Sequence, residues 1–194
     1  IIRETPPVSG KNLILTLDIR LQNAAEAEMK NQTGALIAMN PSNGEILAIV
    51  SSPAPDLSIF SDGVGRAEWN KLLRDPRHPF LNRTISALYP PGSTFKIVTA
   101  MAALDKGIID ENTQFECKGR FWYNTWDYDC WKPAGHGYMN LTEAITQSCD
   151  IFFYKTGLKT KIEAMSQMAS AFGMGKPTHI DLPGEKSGIV PTPE

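Results

Sequence analysis

The sequence predicts an α+β fold, and two features carry that prediction. Residues 34–40 and 45–51 are apolar segments of strand length, and Asn43-Gly44 between them tolerates the positive φ of a tight turn, so we expect a β-hairpin. After the hairpin, apolar residues recur at helical spacing in four segments, at 94–105, 141–148, 150–156 and 160–172. A strand hairpin followed by a group of helices is typical of the α+β class.

Local signals assign the other elements in chain order. Residues 12–16 alternate weakly and predict a short strand, after which Asp18 is suited to cap a helix that extends to about Lys30. The stretch 52–79 is rich in Pro and Gly and predicts a loop region, with a helix at 66–73. The last thirty residues predict loop and short strand.

Length, composition and charge exclude several classes of protein. The chain has 194 residues, of which 42% are hydrophobic and 21% charged, so it can bury a sizeable core. A net charge of −2 without basic clusters argues against binding to nucleic acid. No apolar stretch reaches the roughly 18–20 residues that cross a bilayer, and no signal peptide opens the chain.

Ser93 and Lys96 form a Ser-x-x-Lys step where a helix is predicted to begin. Pro90-Pro91-Gly92 ends whatever precedes the step, so Ser93 lies at the helix N-terminus and Lys96 one turn further on. Unpaired backbone N–H groups at a helix N-terminus favour developing negative charge, which suits a nucleophile of acyl transfer with an amine base. The alternative is that Ser93 is only an N-cap and Lys96 a solvated residue of the first turn.

Three cysteines leave one thiol unpaired after any disulfide, and His136 offers a fourth soft ligand. The spacing is Cys117-x12-Cys130-x5-His136-x12-Cys149, and a set of three cysteines and one histidine is common in structural zinc sites. These spacings are longer than those of the tight Cys-x2-Cys knuckle. A Cys117–Cys130 disulfide with Cys149 buried is therefore the alternative, and nothing in the sequence calls for an organic cofactor.

A second short motif, Ser148-Cys149-Asp150, connects the Ser-x-x-Lys step to a known family. Ser-x-x-Lys followed by Ser-x-Asn or Ser-x-Asp marks the enzymes that interact with penicillin. Other stretches match the same group, at 17–22, 34–41, 44–53, 82–84 and 135–137. On these residues the chain, from about residue 12 to its end, resembles the penicillin-binding protein 2 family of class B peptidoglycan transpeptidases. The resemblance implies the penicilloyl-serine transferase fold.

The resemblance also implies roles for the two motifs. Ser93 would attack the carbonyl between the two terminal D-alanines of a peptidoglycan stem peptide. Neutral Lys96 would accept the Ser93 proton, provided burial or a nearby positive charge favours the uncharged amine. Ser148 would relay a proton to the leaving amine, and Asp150 would hold the Ser148 loop through hydrogen bonds. An amine of a neighbouring stem peptide would resolve the acyl-enzyme, whereas a β-lactam would stop the reaction at that stage.

Family members carry a third motif, Lys-Thr-Gly, on a strand far downstream. Lys155-Thr156-Gly157 has these letters but follows Ser148 by only seven residues, so we interpret it as a helix end with Gly157 at the C-cap. The true motif is expected beyond Glu194. Residues 1–11 would then be the linker from an upstream pedestal domain and 12–194 the N-terminal part of a truncated transpeptidase domain, inactive by itself.

The resemblance favours zinc over the disulfide. Some relatives bind zinc at the corresponding places, with carboxylates where this chain has Cys117 and Cys130, beside the matching His136 and Cys149. A structural zinc ion would anchor the loop that presents Ser148, because Cys149 stands next to it. The resemblance further implies a membrane anchor upstream, a periplasmic catalytic domain on the bacterial inner membrane, and membrane proteins of the elongation complex, which sets cell shape, as partners.

Two other functions use the same residues. With water as the acceptor, Ser93 and Lys96 would serve a D,D-carboxypeptidase or a serine β-lactamase. A non-enzymatic domain that senses β-lactams or acts as a scaffold is the third hypothesis. An aromatic set would either line a substrate groove or pack around the metal site: Phe121, Trp122, Tyr123, Trp126, Tyr128 and Trp131.

Overall fold

A computed structural model describes residues 6, 8–61 and 63–193 of the chain, which divides into two compact units, Ile1–Ala87 and Leu88–Glu194. The helices of the described residues are α1 Ile19–Met29, α2 Arg66–Arg74, α3 Arg83–Ser86, α4 Phe95–Asp105, α5 Leu141–Thr146 and α6 Asp150–Ala171. The strands there are β1 Gly34–Met39, β2 Ile46–Ser52, β3 Phe115–Cys117, β4 Arg120–Tyr123, β5 Trp126–Asp129 and β6 Gly137–Met139. This mixture of helices and antiparallel strand pairs confirms the predicted α+β class.

The first unit is built on the predicted hairpin of β1 and β2, with α1 packed against it. Asp18 caps α1 as predicted, because its side chain accepts a hydrogen bond from the Arg20 N–H at 2.9 Å. Gln22 fixes the helix to β2 with two bonds: Ile49 N–H donates to its side-chain oxygen at 2.9 Å, and its amide nitrogen donates to the Ile49 carbonyl at 3.1 Å. Ala25 and Val50 lie in the small core between helix and hairpin.

The strand predicted for residues 12–16 is wrong, because the structure has no regular element there. Thr16 instead donates its hydroxyl to the Ile46 carbonyl at 2.6 Å, which ties this segment to β2 without a ladder. The hairpin turn is also wider than expected, since the strands end at Met39 and restart at Ile46 and only Gly44 of the predicted turn pair has positive φ, at 79°.

The second unit packs α4 against α6 around an apolar core. The small residues Ala100 and Ala103 of α4 are buried and allow a close approach, while Ile151 and Phe152 of α6 are fully covered. Before α6, the short α5 begins with a capping box in which the Asn140 side chain accepts from Glu143 N–H and the Glu143 side chain accepts from Asn140 N–H.

Two small antiparallel sheets were not predicted. In the first, β3 pairs with β6, so that Cys117 lies opposite Gly137. The second sheet is the hairpin of β4 and β5, which lies between β3 and β6 in the sequence. At its base Cys130 N–H donates to the Gly119 carbonyl at 2.8 Å, so the hairpin returns Cys130 to the end of β3.

Three further predictions need correction. The two predicted helices, 150–156 and 160–172, lie on either side of a break within α6 at Lys161, where φ is 65° and ψ is 163°, so the break is found but lies later than predicted. Gly157 therefore lies inside a helix rather than at its C-cap, at a position where a Cβ would contact Met165 Sδ at 3.7 Å. After α6 the described residues contain no strand.

No helix in the described part of the chain combines the length and apolarity that crossing a bilayer requires.

Gly119→Ala tests how tightly the loops around the two small sheets are built. Gly119 has φ +84°, and a Cβ there would lie 1.9 Å from the Pro133 carbonyl oxygen, so backbone must move. We expect a loss of about 3 kcal/mol or more in unfolding free energy. Gly137→Ala is the control, because its φ is +77° but nothing lies within 4 Å of the added carbon. It should lose only about 1–2 kcal/mol.

Urea unfolding followed by tryptophan fluorescence measures this difference, since three of the four tryptophans lie in the second unit. Equal losses in the two variants would mean that the approach of Gly119 to Pro133 does not limit the fold.

Candidate active site

Ser93 lies in a 3₁₀ turn, Gly92–Thr94, that leads directly into α4. The turn is held by the Thr94 hydroxyl, which donates to the Pro91 carbonyl at 2.7 Å, and Gly92 has the positive φ, 58°, that the preceding prolines could not adopt. Ser93 itself is exposed. Its hydroxyl is therefore accessible at the beginning of a helix, as the sequence predicted.

Lys96 lies in the first turn of α4 and points inward, with only 13% of its side chain exposed. Its Nζ donates to the Ser148 carbonyl at 2.8 Å, to Ser148 Oγ at 2.9 Å and to Asp150 Oδ1 at 2.6 Å. The Phe153 ring lies 5.7 Å from the amine. Lys96 is thus largely buried, and its charged neighbour is a carboxylate rather than the cation that the sequence hypothesis allowed.

Ser148 stands between Ser93 and Lys96. Its Oγ donates to Ser93 Oγ at 3.1 Å and accepts from Lys96 Nζ at 2.9 Å, which makes a continuous chain of three polar groups. Ser148 has φ 49°, a rare conformation for a residue with a Cβ, in the turn between α5 and α6. Such backbone conformations persist where surrounding contacts hold them and are frequent at functional sites.

Asp150 begins α6 and bonds in two directions. Its Oδ1 accepts from Lys96, and its Oδ2 accepts from the backbone N–H of Trp131 at 3.1 Å. A carboxylate in the first turn of a helix is also stabilised by the helix dipole. The structure therefore brings together all four residues predicted from the two motifs, in one cluster where the first turn of α4 meets the turn before α6.

The four predicted metal ligands also converge on one point. Cys117 ends β3, Cys130 follows β5, His136 precedes β6 and Cys149 is the N-cap of α6. Their ligand atoms all lie within 4.8 Å of one another, and the three cysteines are buried free thiols. The His136 Nδ1 faces the cluster, at 3.5 Å from the Cys117 sulfur and 3.6 Å from the Cys130 sulfur.

Burial and neighbouring groups set the protonation of this cluster. Burial, reinforced by the thiolates of Cys117 and Cys130, raises the pKa of Cys149 to about 12. For Cys117, burial also raises the pKa, but hydrogen bonds from the backbone N–H groups of Gly119 and His136 and from the neighbouring thiols outweigh it, and the net pKa is lowered. Burial lowers the pKa of His136, which favours the neutral imidazole that binds metals.

The residues fit a tetrahedral metal site on their chemistry. Three sulfurs and one neutral imidazole nitrogen form a complete ligand set for structural zinc. Nδ1 is the ring nitrogen available for a metal because it faces the sulfurs, while Nε2 is buried without a hydrogen-bond partner among the described residues. A Cys117–Cys130 disulfide would use two of the sulfurs and leave Cys149 and His136 facing it.

The predicted aromatic set divides into two groups. Phe121, Tyr123 and Tyr128 line an apolar cavity of about 460 Å³ beside α6. The three tryptophans are instead mostly exposed, Trp122 at 64%, Trp126 at 69% and Trp131 at 60%. Lys155-Thr156-Gly157 lies within α6, apart from the Ser93 cluster, where Lys155 donates to the Glu116 carbonyl at 2.8 Å.

Sequence reasoning placed Trp131 in the aromatic set but did not foresee its two hydrogen bonds to the turn that holds Ser148. The backbone N–H of Trp131 donates to Asp150, and its indole N–H donates to the Gln147 carbonyl at 2.9 Å. Its aromatic side chain and its place immediately after Cys130 were the available signals, and neither reveals a bond made by the main chain.

Comparisons with known proteins agree with this geometry. The family of the penicillin-binding protein transpeptidase domain matches residues 34–194. The peptidoglycan D,D-transpeptidase MrdA of Salmonella typhimurium (strain SL1344) is 40% identical over 99% of this chain and 31% of its own length. The chain thus spans about a third of the length of the curated relatives it matches.

Solved structures give the same result. The penicillin-binding protein 2 of Helicobacter pylori, solved alone and in complex with MreC, is 40% identical with a TM-score of 0.85 over 90% of this chain and 33% of that one. Penicillin-binding protein A of Mycobacterium tuberculosis, as its penicillin G acyl-enzyme, is 32% identical with a TM-score of 0.79 over 89% of this chain and 42% of that one. The resemblance found in the sequence is confirmed, and the chain belongs to the penicillin-binding protein transpeptidase family.

Proposed function

We propose that this chain carries the nucleophile of a peptidoglycan D,D-transpeptidase that cross-links stem peptides through a serine acyl-enzyme. One observation carries the proposal: the Ser93 hydroxyl, the Ser148 hydroxyl and the Lys96 amine form an unbroken hydrogen-bonded chain. Family membership and the similarity to relatives named peptidoglycan D,D-transpeptidases support it.

The acylation step needs a path for the Ser93 proton, and the hydroxyl chain offers one. Hydroxyl hydrogens rotate, so Ser93 can donate to Ser148 while Ser148 donates to the Lys96 amine, once the ammonium that pairs with Asp150 in the structure has passed one proton to that carboxylate. As the proton moves, Ser93 Oγ bonds to the carbonyl carbon between the two D-alanines, and the carbonyl electrons move to its oxygen. When the C–N bond breaks, the proton returns through Ser148 to the leaving nitrogen, and D-alanine departs.

Helix α4 contributes to stabilising the oxyanion. The Ser93 N–H lies in the turn that opens the helix, where backbone donors and the dipole favour negative charge. We assign it as one oxyanion donor and expect the second from the strand of the third motif. Asp150 does not attack the substrate. Its bond to Lys96 holds the amine next to the Ser148 turn.

The second half of the reaction distinguishes the candidate functions. An amine of a neighbouring stem peptide attacks the acyl-enzyme, displaces Ser93 and completes the cross-link. Water in its place gives a D,D-carboxypeptidase or a serine β-lactamase, and an acyl-enzyme that does not turn over gives a β-lactam sensor. A β-lactam acylates Ser93 with its leaving group still tethered, the state described for penicillin G on the M. tuberculosis relative.

We propose that Cys117, Cys130, His136 and Cys149 hold a zinc ion of structural type. With four protein ligands the ion has no position for substrate, and its chemistry is to fix the surrounding loops. Cys149 lies between Ser148 and Asp150, so the ligand cluster keeps the backbone of the Ser148 turn in place. The convergence of all four ligand atoms within 4.8 Å of one another favours the ion over a disulfide, which would leave two ligands unused.

The similarity to the relatives supports a proposal on where this protein works and which protein it binds. We propose that the domain works in the bacterial periplasm, anchored in the inner membrane by a segment outside this chain, with residues 1–11 as linker and 12–194 as the first part of the transpeptidase domain. Residues 1–5 and 7 of that linker lie outside the described residues. We propose a membrane protein of the elongation complex as partner, and the complex of the H. pylori relative with MreC supports a protein partner.

Substitutions at the polar chain should affect acylation to different degrees. In a protein that contains this chain together with the third motif, Ser93→Ala is expected to abolish labelling by fluorescent penicillin. Lys96→Ala should slow labelling by about 10³-fold and Ser148→Ala by about 10²-fold, because each removes a proton carrier. Lys106→Ala, at the exposed end of the same helix, is the control and should label normally. Normal labelling of Lys96→Ala would refute its role as base.

Zinc and the disulfide predict different chemistry for the same thiols. We expect purified protein to contain about one equivalent of zinc by elemental analysis, with its three thiols reacting with a thiol reagent only after denaturation and chelation. Cys149→Ser should lower the zinc content well below that of the parent protein. A metal-free protein with a single reactive thiol would establish the disulfide instead.

A further inference from the structure

The turn that presents Ser148 is bound at both of its ends by one residue, Trp131. At the start of the turn, the Gln147 carbonyl accepts the indole Nε1–H of Trp131 at 2.9 Å. At its end, Asp150 Oδ2 accepts the Trp131 backbone N–H at 3.1 Å. The side chain and the main chain of Trp131 thus span the four residues that contain Ser148.

The two hydrogen bonds of Trp131, which together we call the tryptophan clamp, complement the other bonds of the turn. Ser148 N–H donates to the Ile145 carbonyl at 3.1 Å and Cys149 N–H to the Ala144 carbonyl at 2.9 Å, which ties the turn back to α5. Lys96 binds it from α4. Trp131 adds a third direction of restraint, from the segment after β5, on a turn whose Ser148 has φ 49°. A positive φ at a residue with a Cβ needs such restraint to persist.

Trp131 is itself fixed on the protein, although its side chain is 60% exposed. The preceding residue, Cys130, is buried and donates its N–H to the Gly119 carbonyl at 2.8 Å. The indole also meets the His136 ring edge to face, with 5.2 Å between the ring centroids. An exposed indole contributes little to a core, so its directed hydrogen bond is its distinctive contribution here.

We propose that Trp131 is a positioning residue for acylation: its two N–H groups hold the Gln147–Asp150 turn so that Ser148 Oγ stays between Ser93 Oγ and Lys96 Nζ. This inference rests on the proposed function, because it concerns the rate at which Ser93 is acylated. It does not depend on whether the cysteine cluster binds zinc.

Trp131→Phe tests the proposal, since it removes the indole donor and keeps an aromatic ring and the backbone N–H. In the protein that carries the third motif, we expect the first-order acylation constant with penicillin to fall about 5- to 20-fold, as for the loss of one directed hydrogen bond. The dissociation constant of the preceding complex should change less than about twofold, and the thermal midpoint should stay that of the parent. Trp126→Phe, at a tryptophan that is 69% exposed on the preceding β4–β5 hairpin, is the matched control and should leave all three quantities unchanged.

Amide spectra of residues 1–194 give a second readout that needs no activity. Trp131→Phe should shift the NMR signals of Gln147, Ser148 and Cys149, whereas Trp126→Phe should leave them in place. In the parent, the Trp131 indole proton should exchange with solvent more slowly than that of Trp126.

These measurements separate a positioning role of Trp131 from a general packing role. Acylation of Trp131→Phe at the parental rate, or unshifted turn signals, would overturn the positioning role. A fall in rate accompanied by a lower thermal midpoint and weaker binding would also overturn it, since that pattern indicates general packing. Failure of the parent protein itself to react with penicillin would overturn the proposed function, and the role of Trp131 with it.

Discussion

The hydrogen bonds and ion pair of the Lys96 amine are the interaction on which the rest of the site depends. They join α4 to the turn before α6 across 52 residues of sequence at Ser148 and 54 at Asp150. Ser93 lies one helical turn before Lys96, where α4 begins. When the Lys96 amine is bound to the Ser148 turn, the Ser93 and Ser148 hydroxyls are therefore also held close together. Because the amine is largely buried, these bonds act in a medium that screens them less than water, which strengthens them when all are made.

The Ser148 turn is held from several sides, and this explains how an unusual backbone conformation persists. Lys96 binds it from α4, Trp131 from the segment after β5, and Cys149 places it against the thiol cluster. The proposed zinc ion and the proposed tryptophan clamp therefore act on the same four residues. A serine with positive φ is tolerable when its neighbours over-determine its position, and here the restraint directs its hydroxyl into the hydrogen-bonded chain.

Those parts of the fold that depend on local signals were predictable from the sequence. The Asp18 cap, the β1–β2 hairpin and the start of α4 after Pro90-Pro91-Gly92 all have short-range causes, and each is found in the structure. The two small sheets were not predictable, because β3 and β6 are three residues long and are joined by pairing across the hairpin between them. The break within α6 was placed too early because Gly157 was read as a stop, whereas the backbone leaves the helix at Lys161 and Gly157 packs near Met165.

In the candidate site, too, some features could be predicted from the sequence and others could not. Residue types and spacing singled out Ser93, Lys96, Ser148 and Asp150, and the four candidate metal ligands, before their distances were known. The order of the hydroxyls was not predictable: helical spacing suggested direct contact between Ser93 and Lys96, while the folded turn inserts Ser148 between them. Trp131 was predicted only as part of an aromatic set, because one of its two bonds is made by the main chain, which no residue type reveals.

The central claim is that Ser93 is the group that becomes acylated. Mass spectrometric mapping, after reaction with penicillin, of the protein that contains this chain together with the third motif tests it most directly, because tryptic cleavage after Arg83 and Lys96 isolates Ser93 from Ser148. The account predicts one penicilloyl group, on Ser93 within the peptide 84–96. An adduct on Ser148 or elsewhere, with the Ser93 peptide unmodified in active protein, would contradict it.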